Sequence, residues 1–296
     1  MATSMPLVLA EVETINIEEK EYTVEGYTLK QDLSNKKFTS EEIAHFLIDR
    51  YYICPICNKI QRGWALYEEK VNGIILRKFF LKCKHVFTSL AGLEVVDMEY
   101  KEMFVMWVRV ETNNVQLIQR SDSILYPVMY WMNTWTGTST PALSNTYSFV
   151  GTVFTTAGSP SSYTSPSPSM IGTSGDQRAG IVIGTGNAAN TTSTYALQSQ
   201  IQNGTGAGQM QYGSTNVASL VTSGNTVSFQ VNRTFTNNSG ASITVAEVGI
   251  YCFITTNQAS GAVTTFAFAR DVLATPVTVA NTTPITVYYT IQLTIS

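Results

Sequence analysis

Residues 285 to 295 alternate without a break. Ile285, Val287, Tyr289, Ile291, Leu293 and Ile295 fall on one side, and Thr286, Tyr288, Thr290, Gln292 and Thr294 on the other. Successive side chains of a strand point to opposite faces, so a period of two held this long demands an extended segment with one face buried. Weaker copies of the pattern precede it. Val227, Phe229 and Val231 alternate with Thr226, Ser228 and Gln230, and Phe266 and Phe268 alternate with Thr265, Ala267 and Ala269. In the segment from Ile243 to Ile254 the apolar phase shifts at Ala246-Glu247, which predicts a β-bulge. Turn chemistry separates these runs, at Asn237-Asn238-Ser239-Gly240, at 256 to 261 and at Ala280-Asn281-Thr282-Thr283-Pro284. Short strands joined by such turns predict an antiparallel β-sandwich, jelly-roll-like in style.

The same half of the chain is almost without charge. Residues 1 to 122 hold 33 of the 39 charged side chains; the other 174 residues carry Asp176, Arg178, Arg233, Glu247, Arg270 and Asp271. Ordinary domains use charge for roughly a quarter of their residues, so a surface made soluble by hydroxyls and amides points to packing within an assembly. The break divides the sequence into a charged α+β module, residues 1–122, and a Thr/Ser/Asn-rich β module, residues 123–296. A net charge of −3 argues against a general nucleic-acid binder, since phosphate recognition rests on clustered Lys and Arg. The N-terminus has neither the basic nor the long apolar stretch of a signal peptide. Synthesis in a cytoplasm is the expectation, and no run of 18 apolar residues offers a membrane-spanning helix.

Within the charged module, residues 11 to 33 read as one or two strands. Thr39 and Glu42 are spaced as a capping box ahead of Ile43, Phe46, Leu47 and Tyr51 at helical period. Next comes Cys54-Pro55-Ile56-Cys57, and 25 residues further on Cys83-Lys84-His85, with a hairpin signal, Asn72-Gly73, between them. Two ligand pairs brought together by a hairpin are the economical way to build a tetrahedral site. Asn58 tolerates the left-handed backbone of a thiolate knuckle. Cys83 and His85, two apart, share one face if they lie on a strand. The expectation is a structural Zn²⁺ held by Cys54, Cys57, Cys83 and His85 in a zinc-ribbon-like region at about residues 50–90. Four protein ligands leave no open position for catalysis. Cys252 stands alone. Lys59, Arg62, Lys70, Arg77, Lys78, Lys82 and Lys84 surround the site with Trp64, Tyr67, Phe79 and Phe80 among them, which leaves a nucleic-acid contact as a lesser alternative.

No catalytic constellation stands out. Gly184-Thr185-Gly186-Asn187 lacks the later Gly and the Lys-Ser/Thr of a phosphate loop, and residues 123–296 contain no histidine. Arg270-Asp271 with Glu247 reads as a structural ion pair. The run Ile124 to Met132 reads as a core segment closing the β module, and the Ser/Pro-rich stretch 155 to 180 as a long loop.

The succession Gly180-Ile181-Val182-Ile183-Gly184-Thr185-Gly186, Tyr195-Ala196-Leu197, Arg233 to Gly240, Val245-Ala246-Glu247-Val248-Gly249-Ile250-Tyr251, Ala269-Arg270-Asp271-Val272-Leu273 and Thr286 to Ile291 resembles a β-sandwich module of structural proteins from tailed viruses of bacteria and archaea. It covers about residues 125 to 296 and leaves the metal-binding part outside. The resemblance implies a virion component, in a tail, collar, turret or capsid-decorating position, that pairs with itself and with other virion proteins. A non-viral surface or filament protein with an adhesive role is the alternative from composition.

Overall fold

The computed structural model describes residues 39–88, 93–96, 104–121, 146–147, 153–154, 170–191, 194–255 and 263–294. The strands expected at 11 to 33, the apolar run 124 to 132 and most of the Ser/Pro-rich stretch lie outside those residues. Among the described residues strands dominate, one α-helix is present, and the named strands all pair antiparallel. The chain divides into two compact units, Met1–Met98 and Glu99–Ser296. The division falls ahead of the charge break, because the strand at 104–111 pairs with the C-terminal strand and the strand at 115–121 pairs with it in turn, so both belong to the larger unit.

In the first unit, helix α1 (Ser40–Ile48) starts at the capping box: Thr39 Oγ1 accepts from Glu42 N–H, and Glu42 accepts in return from Thr39 N–H at 2.9 Å. Ala44, Leu47 and Ile48 form its buried face, while Phe46 is exposed with the Arg50 guanidinium over its ring. Strands β1 (Tyr51–Cys54), β2 (Lys59–Val71), β3 (Ile74–Leu81), β4 (Val86–Phe87) and β5 (Glu94–Val96) are ordered β5-β1-β2-β3-β4. Val71-Asn72-Gly73-Ile74 is the two-residue hairpin its sequence predicts, with Val71 opposite Ile74. α1 lies against β2 at Gly63, where a Cβ would stand 2.4 Å from Leu47 O. Tyr52 locks the contact from β1, its hydroxyl donating to Leu47 O at 2.9 Å and its ring meeting Phe79 edge-on.

The second unit contains β6 (Phe104–Glu111), β7 (Val115–Ser121), the short pair β8 (Thr146–Tyr147) and β9 (Val153–Phe154), β10 (Gly180–Gly184), β11 (Gln211–Val217), β12 (Val221–Ser223), β13 (Thr226–Thr236), β14 (Ile243–Thr255), β15 (Val263–Val279) and β16 (Pro284–Thr294). One sheet runs β11-β13-β16-β6-β7, with β12 also on β13; a second runs β10-β14-β15. The alternation of β16 is realised from Ile285 to Ile291; Leu293, expected on the same buried face, is exposed near the strand end, and Ile295 lies outside the described residues. Ile285, Val287 and Tyr289 are fully buried and Ile291 nearly so, and the row Val231–Tyr289–Val108 crosses β13, β16 and β6 without exposure.

Side chains of the first sheet reach strands of the second. Tyr289 OH donates to Asp271 at 2.9 Å and Ser121 Oγ to the same carboxylate at 2.8 Å. Gln119 acts as a short substitute strand beside β15, donating to Val272 O and accepting from Ala274 N–H. The expected bulge lies between Val245 and Glu247, and a second falls between Ile250 and Tyr251. In the stretch of β15 from 265 to 269, Thr265, Ala267 and Ala269 are buried and Phe268 is half-exposed. Bulky neighbours explain this choice, since Tyr251 and Ile250 on β14 are fully buried and leave room opposite them only for small side chains.

Candidate metal centre

β1 delivers Cys54 to the edge of the first unit, and the chain reverses at once. Asn58 N–H donates to Cys54 O at 2.7 Å, and Asn58 holds the left-handed conformation (φ 51°) needed for the reversal. This knuckle presents Cys57. A second reversal follows β3, where Lys84 N–H donates to Leu81 O at 2.8 Å and Leu81 N–H to His85 O at 3.1 Å, with Lys84 left-handed (φ 65°). Cys83 and His85 therefore sit on a tight turn and not, as their spacing suggests, on one face of a strand. A turn curls both side chains around Lys84; a strand would only have held them parallel. Lys82 N–H bonds Arg62 O at 2.9 Å and ties this turn to β2.

The four side chains meet. The ligand atoms of Cys54, Cys57, Cys83 and His85 all lie within 4.8 Å of one another, so the group could hold a metal ion. His85 Nδ1 stands 3.3 Å from Cys54 Sγ and 3.2 Å from Cys83 Sγ, and the two sulfurs are 3.7 Å apart. Cys54 is fully buried and the other three are half-buried. Burial pushes the Cys54 thiol up, but N–H groups of Cys57 and Ile56 and hydrogen bonds from the Cys57 and His85 side chains outweigh it and bring Cys54 down to about 6. Burial raises Cys83 to about 11; the His85 N–H opposes this, and hydrogen bonds to Cys54 and Cys57 together with the Cys54 charge add to it. A cation that bound all three thiolates would displace the protons the cluster carries.

The second unit holds its charges inside. Glu247, on β14, is fully buried. Its Oε1 accepts from Gly186 N–H (3.1 Å) and Ser199 N–H (2.7 Å), and its Oε2 from Gln198 N–H (2.9 Å) and Arg270 Nε (2.6 Å). Arg270 extends the clasp through Nη1 to Ala188 O and Asn190 Oδ1. A Cβ at Gly184 or Gly186 would lie 2.5 Å from Glu247 Oε1, so the Gly-Thr-Gly of the sequence makes space for an internal carboxylate. The ion pair expected for Glu247 is formed by Arg270, while Asp271 takes the hydroxyls of Ser121 and Tyr289.

Sequence reasoning did not single out Arg233. This guanidinium is fully buried and gives all five donors to main-chain carbonyls: Nε to Gly213, Nη1 to Ala179 and Ile181, Nη2 to Thr173 and Asp176, at 2.6 to 2.9 Å. Tyr212 and Phe235 flank it, with ring centroids 4.8 and 5.8 Å from its Cζ. The signal was present, since Arg233 occupies the inward phase between Val231 and Phe235. Cys252 is a buried core thiol, pushed up to about 12 by burial.

Comparison of the chain with protein-family models, with curated proteins and with solved structures found no match. Among the described residues, no helix is long and apolar enough to cross a membrane.

Proposed function

We propose that this chain is a structural component of a virion, in a tail, collar, turret or capsid-decorating position, with its larger unit a β-sandwich and its smaller unit a zinc-stapled, ribbon-like anchor. The observation that carries the reading is the outer face of β13 and β16. There Thr226, Ser228, Gln230, Asn232, Thr234 and Thr236 lie beside Pro284, Thr286, Tyr288, Thr290, Gln292 and Thr294, without a charged side chain among them. Opposed hydroxyls pair across the strands, Thr234 with Thr286 at 3.0 Å and Thr226 with Thr294 at 3.1 Å. Thr244 and Thr278 repeat the device on the other sheet at 3.3 Å. An ordered, uncharged, half-exposed surface suits contact with identical neighbours, because no charge has to be desolvated when it is covered. The sandwich reading rests on the two antiparallel sheets and on the inward groups of one that bond strands of the other.

For the anchor, zinc is the cation that fits the donor set. A tetrahedral zinc with Zn–S of about 2.3 Å and Zn–N of about 2.0 Å holds sulfurs about 3.7 Å apart and sulfur–nitrogen pairs about 3.5 Å apart. The observed separations of 3.7 Å and of 3.2 to 3.3 Å lie close to both. Three thiolates leave such a centre with one net negative charge, and exposed Lys59, Lys82 and Lys84 border it in the sequence. The zinc would complete a small core by closing the two knuckles.

Light scattering and electron microscopy of the purified full chain test the assembly reading, with rings, tubes or particle-bound copies expected. A chain that stays monomeric at every concentration and joins no particle would overturn it. Elemental analysis tests the metal separately: one zinc per chain is expected, lost in Cys83→Ser together with the thermal stability of the first unit. Unchanged zinc content and stability in that variant would sink the site.

A further inference from the structure

Asn-Gly occurs twice in the sequence, at Asn72-Gly73 and Asn203-Gly204, and the fold treats the two pairs differently. Glycine has no side chain to shield its nitrogen, so the chemistry open to both pairs is attack of that nitrogen on the asparagine carboxamide. At the β2–β3 hairpin tip Asn72 and Gly73 are both exposed and left-handed, with φ of 52° and 83°. A Cβ added to Gly73 would meet nothing within 4 Å. Among the described residues, no hydrogen bond engages the Asn72 side chain or the Gly73 N–H; the turn is closed only by the pairing of Val71 with Ile74.

Asn203 is exposed as well, so exposure alone does not separate the pairs. Anchoring does. Gly204 N–H donates to Met210 O at 3.1 Å, Asn203 Oδ1 accepts from Tyr212 N–H at 3.0 Å, and Asn203 N–H donates to Gln177 Oε1 at 2.7 Å. The attacking nitrogen and the carboxamide it would attack are both held elsewhere.

We propose that Asn72 is a site of spontaneous deamidation and that Asn203, with the same local sequence, is protected by its hydrogen bonds. Gly73 N bonds to Asn72 Cγ as the Cγ–Nδ2 bond breaks; the proton from Gly73 N leaves with the nitrogen as ammonia, and a succinimide remains. Water then opens the ring at one of its two carbonyls, giving aspartate or isoaspartate with no change of oxidation state. Either product places a negative charge on the tip. The isoaspartate also routes the main chain through Cβ, which lengthens a two-residue turn whose register depends on its length. Exposed Val71 and Ile74 flank that turn, so the modified tip presents a different surface.

The experiment is incubation of the folded full chain at mildly alkaline pH, then proteolysis and mass spectrometry. The peptide Val71–Arg77 reports Asn72, and a second peptide reports Asn203. Aspartate and isoaspartate should accumulate at position 72 at least about tenfold faster than at 203, the margin expected for two hydrogen bonds that must open first. In denaturant the two rates should converge, because the protection at 203 belongs to the fold. Equal rates in the folded chain, or faster loss at Asn203, would overturn the proposal. So would a ratio that persists unchanged after unfolding.

Discussion

Replacing Glu247 by glutamine tests how much the second unit depends on its internal ion pair. The two shapes are nearly identical, so packing is preserved and only charge and hydrogen bonding change. Each carboxylate oxygen of Glu247 accepts from two donors, Gly186 and Ser199 on Oε1, Gln198 and Arg270 on Oε2. Glutamine has one acceptor oxygen, so whichever way the amide turns, its NH₂ faces two N–H groups. At least two hydrogen bonds are lost, and the buried Arg270 guanidinium loses its counter-charge. Breaking one side of a buried pair costs about 3–5 kcal/mol, a large share of the roughly 5–15 kcal/mol by which domains are stable. Urea unfolding of wild type, Glu247→Gln, Arg270→Met and the double variant measures this. Both single variants should fall by about that amount, and the double variant should regain at least about 2 kcal/mol relative to their sum. Single losses under about 1 kcal/mol, or strict additivity, would refute the claim that the pair acts as one clasp.

Arg233→Lys keeps the charge but offers three donors to five carbonyls, and should destabilise the second unit by about 2–4 kcal/mol in the same assay; a neutral result would mean that the carbonyls find water. Gly63→Ala places a methyl 2.4 Å from Leu47 O and should shift α1 from β2, costing about 1–3 kcal/mol and lowering the melting point of the first unit; an unchanged melting point would contradict the close contact. Burial pushes Tyr212 up to about 12 and, with the neighbouring Asp271, Tyr289 well above its ordinary value of 10. Protons stay on these tyrosines in the folded chain while the unfolded chain releases them, so stability is intact below pH 10 and falls as pH rises towards 12. Tyr289→Phe should flatten that fall, and an identical pH profile in the variant would exclude its contribution.

Much of the fold could be read from residue order where burial was one-sided. β16 alternates because one face meets the core and the other stays half-exposed, and Thr39–Glu42 and Asn72–Gly73 fix a helix start and a hairpin by local chemistry alone. The meeting of Cys54, Cys57, Cys83 and His85 was legible for the same reason, since short spacing encodes each knuckle. Legibility failed where tertiary contact decides. Nothing in the pattern around Phe268 says that its small neighbours face inward, because bulky residues on β14 make that choice. The turn holding Cys83 and His85 was likewise hidden, since a spacing of two suits a strand until the left-handed Lys84 is seen. Arg233 escaped notice because a cation in an apolar strand reads as an exception until the carbonyls around it are located.

The hydroxyl pairs on β13 and β16 have a consequence for the conditions under which that face keeps its character. Salt screens charges and acid removes them from carboxylates, yet the side chains of β13 and β16 on this face offer neither process a target; charge begins only on the adjoining β6, where Arg109 lies over Tyr288 and Glu111 stands opposite Thr286. Threonine, serine, asparagine and glutamine look the same to a neighbour in fresh water and in brine, in a neutral medium and in an acidic one. The surface is therefore indifferent to its surroundings in a way that a charged one, however well matched to its partner, cannot be.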